Sequence, residues 1–449
     1  MTESVVHPYI PNSAPPAKAA MLAATGASSV EDFFAEVPEA LRFQGLLDLP
    51  PALLAEEDLR RHVTGLLARN DADRLMFLGR GTFPHATPAV VAEVINRGEF
   101  LTAYAGEPYE DHGRFQALFE YASQMGELLA CDVVTVPTYD GFQATATAIA
   151  ITHRVTGRSR VIVASDVLPD KMSRVADFVR PFLELVTIPT VDGVADLASI
   201  NAALGEDVAA VWVETPSAIG ALEPALRALA DAAHAAGALL VVGTDPIIYG
   251  VCEPPAVLGA DITCGDIQSL GLGQWFGGAH GGFLAMADDT RLVMELPSRL
   301  FGLAASDVPG EYGFGDVAYE RTSFALREEG KEWVGTAAAL WGIAAGVYLA
   351  LMGPAGMREL GETLFLRTKY AQLRLATVDG VDLGDQALHA REFTIHTRRP
   401  AAQVVAAARA LGIEPGVVID EHTLCVCVTE QHSAADIERL VAVIAEENR

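Results

Sequence analysis

Four lysines in 449 residues, Lys18, Lys171, Lys331 and Lys369, set the first limit on the covalent chemistry of this chain. A lysine that bonds to a carbonyl group must present its amine in a pocket. Lys18 lies in an N-terminal segment, and the other three lie in or beside stretches with helical patterning. Asp245 ends the apolar run Leu239-Leu240-Val241-Val242-Gly243-Thr244, where a carboxylate leaving a parallel strand points into a cleft. An Asp before Pro246 that only forms a turn reads the same way. Tyr139-Asp140-Gly141 follows a β-branched run and feeds a helix, so its amides suit a phosphate, or it is a plain strand-to-helix turn. His280, in Gly277-Gly278-Ala279-His280-Gly281-Gly282, reads as a substrate contact or as a structural loop histidine. Arg299, in Leu296-Pro297-Ser298-Arg299, suits a carboxylate or phosphate, or a surface ion pair.

Other chemistries are absent from the pattern. Gly271-Leu272-Gly273-Gln274-Trp275-Phe276 and Gly79-Arg80-Gly81-Thr82-Phe83-Pro84 begin like dinucleotide loops, but neither ends in glycine or opens a helix after a strand. There is no GxxxxGK[ST] loop, no HExxH and no GxSxG elbow. The net charge of −28 argues against nucleic acid or an anionic membrane as the main partner. Five cysteines, none in a CxxC pair, read as reduced core thiols of a cytoplasmic protein. Residues 1–13 lack the cationic and apolar regions of a signal peptide. The apolar stretch 333–352 is interrupted by Gly335, Gly342 and Gly346 and reads as a buried helix.

The elements that must position these residues fall into three regions. Residues 1–70 are helical and broken by prolines, with a helix start near Ser28-Ser29-Val30-Glu31 and a helix over 56–69, and read as a wrapping or interface segment. Residues 71–353 alternate strand-like runs (133–136, 160–164, 183–188, 209–214, 238–242, 262–264, 282–286) with helical ones (143–156, 171–179, 197–204, 222–236). That alternation predicts a mostly parallel sheet with crossover helices. After Gly353-Pro354, residues 354–449 predict a small α+β domain: a long helix, then strand 392–396, helix 401–411, strands 417–420 and 423–428, and helix 433–446.

A seven-stranded α/β domain followed by a small α+β domain resembles the aspartate aminotransferase-like, fold type I enzymes that use pyridoxal phosphate (PLP). Such an enzyme needs a lysine to hold the cofactor, an acid for the pyridine nitrogen, and amides or hydroxyls for the phosphate. Asp245 is placed as the acid, but no lysine occupies the strand-end stretch that follows it, Ala260 to Gly273.

Along its whole length the chain also resembles the glycine cleavage system P-protein family, in particular the first, alpha-type subunit of its two-subunit form. The likeness is carried by Tyr9-Ile10-Pro11-Asn12, Phe77-Leu78-Gly79, Phe100-Leu101-Thr102-Ala103-Tyr104, Tyr139-Asp140-Gly141, Gly220-Ala221-Leu222-Glu223, Gly265-Asp266-Ile267-Gln268-Ser269-Leu270-Gly271-Leu272, Phe276-Gly277-Gly278 and Val428-Thr429-Glu430. The resemblance implies a homologous second subunit that carries both the lysine and the PLP, with Ser269 at the lysine's position here. It implies that glycine is decarboxylated and its aminomethyl group passes to the lipoyl arm of H-protein. It also implies a pocket in which Tyr139, Asp140, Gly141, Asp245, Gln268 and Ser269 face the cofactor, and Tyr104, Arg114, His280 and Arg299 face the substrate. Departures occur at residues 105–114, at 79–85 and at Arg391-Glu392-Phe393, where the family has an asparagine at position 391; Arg114 and Arg391 therefore read as changes in the charge presented to a substrate. A divergent paralogue acting on another small amino acid or amine, and a non-catalytic scaffold, are the alternative readings.

Overall fold

Seven short runs rich in Val, Ile, Leu and Ala pair into one sheet in the computed structural model, which describes residues 9–43, 45, 47–100, 112–298, 300–316, 322–332 and 338–447. In chain order its strands are β1 (Val133–Val134), β2 (Arg160–Val163), β3 (Glu184–Thr187), β4 (Val208–Glu214), β5 (Leu239–Thr244), β6 (Ile262–Asp266) and β7 (Gly282–Met286). Their spatial order is β1-β7-β6-β5-β4-β2-β3. β7 is antiparallel to both its neighbours and the other pairings are parallel. All seven predicted strands form, with ends shifted by at most two residues.

The inner strands are apolar or small at nearly every position short of their ends because both faces are covered. Val161, Val163, Ala210 and Trp212 face one core with Ile149 and Ile151 of the Gly141–Thr156 helix. The alternate residues Ile162, Val211, Val213, Leu240 and Val242 face the other, with Leu226, Leu229 and Ala233 of the Leu226–Ala235 helix. Residues 144–152 are all buried, and their run of Ala and Thr lets this helix lie close between the sheet and the Pro169–Val179 helix.

The predicted break at Gly353-Pro354 is a kink inside one helical run, Ala339–Leu375, where Gly353 takes φ 58° and ψ −178°. By length and composition alone this helix could cross a membrane; its Gly342 and Gly346 lie against Pro137 and Tyr121. Beyond it, Val381–Leu383, Glu392–Thr397, Thr423–Cys427 and Val417–Val418 form a four-stranded antiparallel sheet. The helices Ala401–Ala410 and Ala434–Glu447 contribute to the same core as that sheet. Leu75–Met76 pairs in parallel with Ile413–Glu414, which fixes the start of the loop that runs from Phe77 to His85.

The chain divides into two compact units, Met1–Ala72 and Asp73–Arg449. Both sheets, and the residues on either side of Gly353, belong to the second unit. Within the first, Pro at the start of the Pro15–Thr25 helix and left-handed Gly26 after it mark the ends. Ser29 and Asp32 form a capping box on a 3-10 turn, Val30–Phe34, and the helix Glu56–Leu67 opens with three acids. The five cysteines are free thiols.

Candidate functional site

The carboxyl ends of β4, β5 and β6 bring Glu214, Asp245 and Asp266 to one edge of the sheet, where they line a cleft of about 340 Å³. In open α/β sheets ligands bind at these strand ends. The helix start at Asp140-Gly141 forms another part of the wall, with the loop Arg80–Phe83 and Arg391-Glu392 from the small sheet.

Asp245 is held from three sides. Its Oδ1 accepts from the Ser269 hydroxyl at 2.5 Å and from the Ile247 amide at 3.0 Å. Its Oδ2 receives the Arg391 guanidinium at 2.5 Å. The Arg391 side chain is 3% exposed and lies 3.3 Å from the centre of the Phe83 ring, a desolvated cation–π contact. A second guanidinium nitrogen donates to His85 Nε2 at 3.0 Å, so Nε2 is the acceptor and Nδ1 carries the proton toward Glu430 Oε2, 2.8 Å away. Burial raises the Glu430 carboxyl, but the hydrogen bonds from His85 and the Ala86 amide outweigh it and hold the group below its usual range. Glu392, fully buried next to Arg391, is pushed up by desolvation against the pull of Arg391 and the Arg80 amide.

Deeper in the cleft, Lys171 Nζ sits 2.8 Å from both oxygens of Glu214. The two side chains are 7% and 12% exposed. Trp212 Nε1 donates to the same carboxylate at 2.7 Å. Gly243 makes the arrangement possible, since a Cβ there would run into the Glu214 carboxylate.

At the helix start, two carboxylates take the Gly141 and Gln143 amides. Asp140 accepts from Gln143 N at 2.7 Å as the N-cap, and Asp266 Oδ2 accepts from Gly141 N at 2.9 Å. Asp266 also accepts from the Gln268 amide and faces His280 Nδ1 at 3.0 Å. The other His280 nitrogen faces the Gly277 carbonyl at 2.9 Å. Its Nε2 also lies 3.2 Å from the Thr82 hydroxyl, and the Asp266 hydrogen bond raises the pKa of the ring.

The structure brings Asp140, Gly141, Asp245 and His280 to the cleft. Ser269, 1% exposed, reaches it only through Asp245. Three expected contacts lie elsewhere. Gln268 is buried and bonded to the backbone of Phe83 and Gly273, Tyr139 is half exposed outside the lining, and Arg114 is buried away from it. Tyr104 and Arg299 lie outside the described residues. Lys171 and Glu214 had no place in the expected site. Glu214 ends a buried strand as Asp245 does, which is a legible signal; Lys171 is on a helix whose pattern shows no pocket. Among the described residues no group of His, Cys, Asp or Glu is arranged for a metal.

These residues do not fit PLP. Serine stands at the position that the family resemblance assigns to the lysine, Arg391 occupies the acid, and carboxylates occupy the helix amides where a phosphate would sit. The charged groups Asp245, Arg391, Lys171, Glu214, Asp266 and His280 of the cleft are each engaged in an internal ion pair or hydrogen bond.

A sequence model described as "Glycine cleavage system P-protein" matches residues 7–444. A protein of Rhizorhabdus wittichii named "Probable glycine dehydrogenase (decarboxylating) subunit 1" is 36% identical over 450 residues, covering 96% of this chain and 97% of that one. Its namesake in Aeropyrum pernix is 34% identical over 467 residues, covering 98% of each. The crystal structure of a glycine decarboxylase (P-protein) of the glycine cleavage system, in inhibitor-bound form, superposes with a TM-score of 0.85 at 33% identity, covering 98% of this chain and 99% of that one. A sphingosine-1-phosphate lyase of Burkholderia pseudomallei, at 15% identity and a TM-score of 0.64 over 92% of this chain and 94% of its own, shares the fold.

Proposed function

The chain belongs to the glycine cleavage system P-protein family, and from that premise we propose that it is the first subunit, without the cofactor-binding lysine, of a two-subunit glycine dehydrogenase (decarboxylating). Its fold is that of the fold type I, PLP-dependent enzymes. The reading is that a homologous second subunit carries the PLP and its lysine, while this chain completes the assembly in the cytoplasm and helps to present the lipoyl arm of H-protein. One observation carries the division of labour: Ser269, at the position of the cofactor lysine, is buried and hydrogen-bonded to Asp245. The exposed apolar side chains Phe33, Phe34, Leu41, Phe43 and Leu54 of the first unit support a chain that works in a complex.

Co-expression with a PLP-bearing homologous second subunit tests this. The pair is expected to co-elute and, with H-protein, to exchange labelled bicarbonate into the carboxyl group of glycine, while this chain alone stays inactive. Two chains that remain separate at micromolar concentration refute the partnership. A pair that turns over another amino acid or amine but not glycine refutes the substrate.

A further inference from the structure

We propose that the cleft of this chain mimics a filled cofactor site: its own ion pairs stand where PLP would be gripped, so the cleft rejects PLP even when a lysine is supplied at position 269. The proposal deepens the partner-dependent reading, because it explains how the cofactor is confined to one subunit of a pair built on one fold.

Three internal substitutions carry it. A pyridine nitrogen needs the free oxygen of a strand-end acid, but Arg391 holds Asp245 Oδ2 at 2.5 Å and Ser269 holds Oδ1 at the same distance. Displacing Arg391 would leave a guanidinium that is 3% exposed without its counter-charge, against Phe83 and with Nε already lacking a partner. A phosphate needs amides at the helix start, but Gly141 N and Gln143 N already donate to Asp266 and Asp140. A phosphate dianion would meet those two carboxylates at close range, and the cations beside them, His280 and Arg174, already pair with Asp266 and Asp140. The lysine that does reach the cleft, Lys171, is held by both oxygens of Glu214 and has no free electron pair for a carbonyl. A ligand entering here would have to break ion pairs at each end of its length.

The test uses the full chain and three variants: Ser269→Lys, Arg391→Asn, and the two combined. Each is mixed with equimolar PLP, reduced with borohydride and digested, and pyridoxyl-lysine is counted by mass spectrometry. The unsubstituted chain and S269K are expected to carry label on less than about a tenth of molecules. Freeing Asp245 in S269K/R391N is expected to tighten PLP on the order of a hundredfold, because no buried pair need then be broken. Label on most S269K molecules overturns the proposal, as does a folded S269K/R391N that takes up no more than S269K. Should the double variant unfold, the unsubstituted chain decides through tryptophan fluorescence, with Trp212 under the cleft. No saturable quenching by PLP up to about 1 mM supports the proposal, and saturation below that overturns it. The partnership itself is read by co-elution and glycine exchange, so the two ideas fail separately.

Discussion

Replacing Lys171 by methionine keeps most of the volume of the side chain and removes its charge, leaving Glu214 buried and alone. At 2.8 Å, two unit charges attract by about 6 kcal/mol at an effective dielectric constant of about 20. Desolvation of both groups, which are 7% and 12% exposed, offsets most of that, so the intact pair contributes little net stability. Removing one partner is different, because the cost of keeping the other dry remains; about 3–5 kcal/mol is expected for K171M. Glu214→Gln alone strands the ammonium and costs a similar amount, though it still accepts from Trp212 Nε1. The double variant K171M/E214Q has no buried charge at this point and is expected to recover at least about 2 kcal/mol relative to the sum of the singles. Urea unfolding of the four proteins, followed by tryptophan fluorescence and circular dichroism, measures the cycle. A K171M cost below about 1 kcal/mol, or additivity within about 0.5 kcal/mol, refutes the claim that this is a desolvated pair.

The raised pKa of His280 gives a pH signature. Its pKa in the folded chain lies above the ordinary 6.5, so its contribution is complete below that value and is lost as pH rises through the raised one. His280→Gln is therefore expected to be more destabilising at about pH 5.5 than at about pH 9, by thermal unfolding in parallel; equal differences at both ends refute the raised pKa. Gly243→Ala must push Glu214 away from its place beside Lys171, and a loss of stability comparable to that of K171M is expected; wild-type melting of this variant contradicts the close approach.

The sheet was readable because strands buried on both faces have few residue types to choose from. Residues 160–163 and 208–214 supply β-branched, apolar or small residues at nearly every step, and only their ends shifted. Asp245 was readable for a related reason: a carboxylate that ends such a run must leave the core at the strand's end. Its partner was not, since Arg391 comes from a strand 146 residues later, and no local pattern says which strand edge will face which. Gln268 shows the opposite failure. A buried glutamine in a family motif reads as a ligand contact, yet its amide is consumed in bridging the backbone of Phe83 and Gly273. Arg80 adds a backbone reason, for its φ of 62° turns the 77–85 loop into the cleft from a conformation that arginine seldom adopts.

An enzyme held together partly by its coenzyme grows more stable as that coenzyme becomes abundant, with the logarithm of the coenzyme concentration once it exceeds Kd. The internal ion pairs of this cleft remove that dependence. The counter-charge for Asp245 is Arg391, and the anions at the helix start are Asp140 and Asp266, all supplied by the ribosome along with the rest of the chain. On the proposed reading, this subunit is therefore expected to melt at the same temperature with or without added PLP.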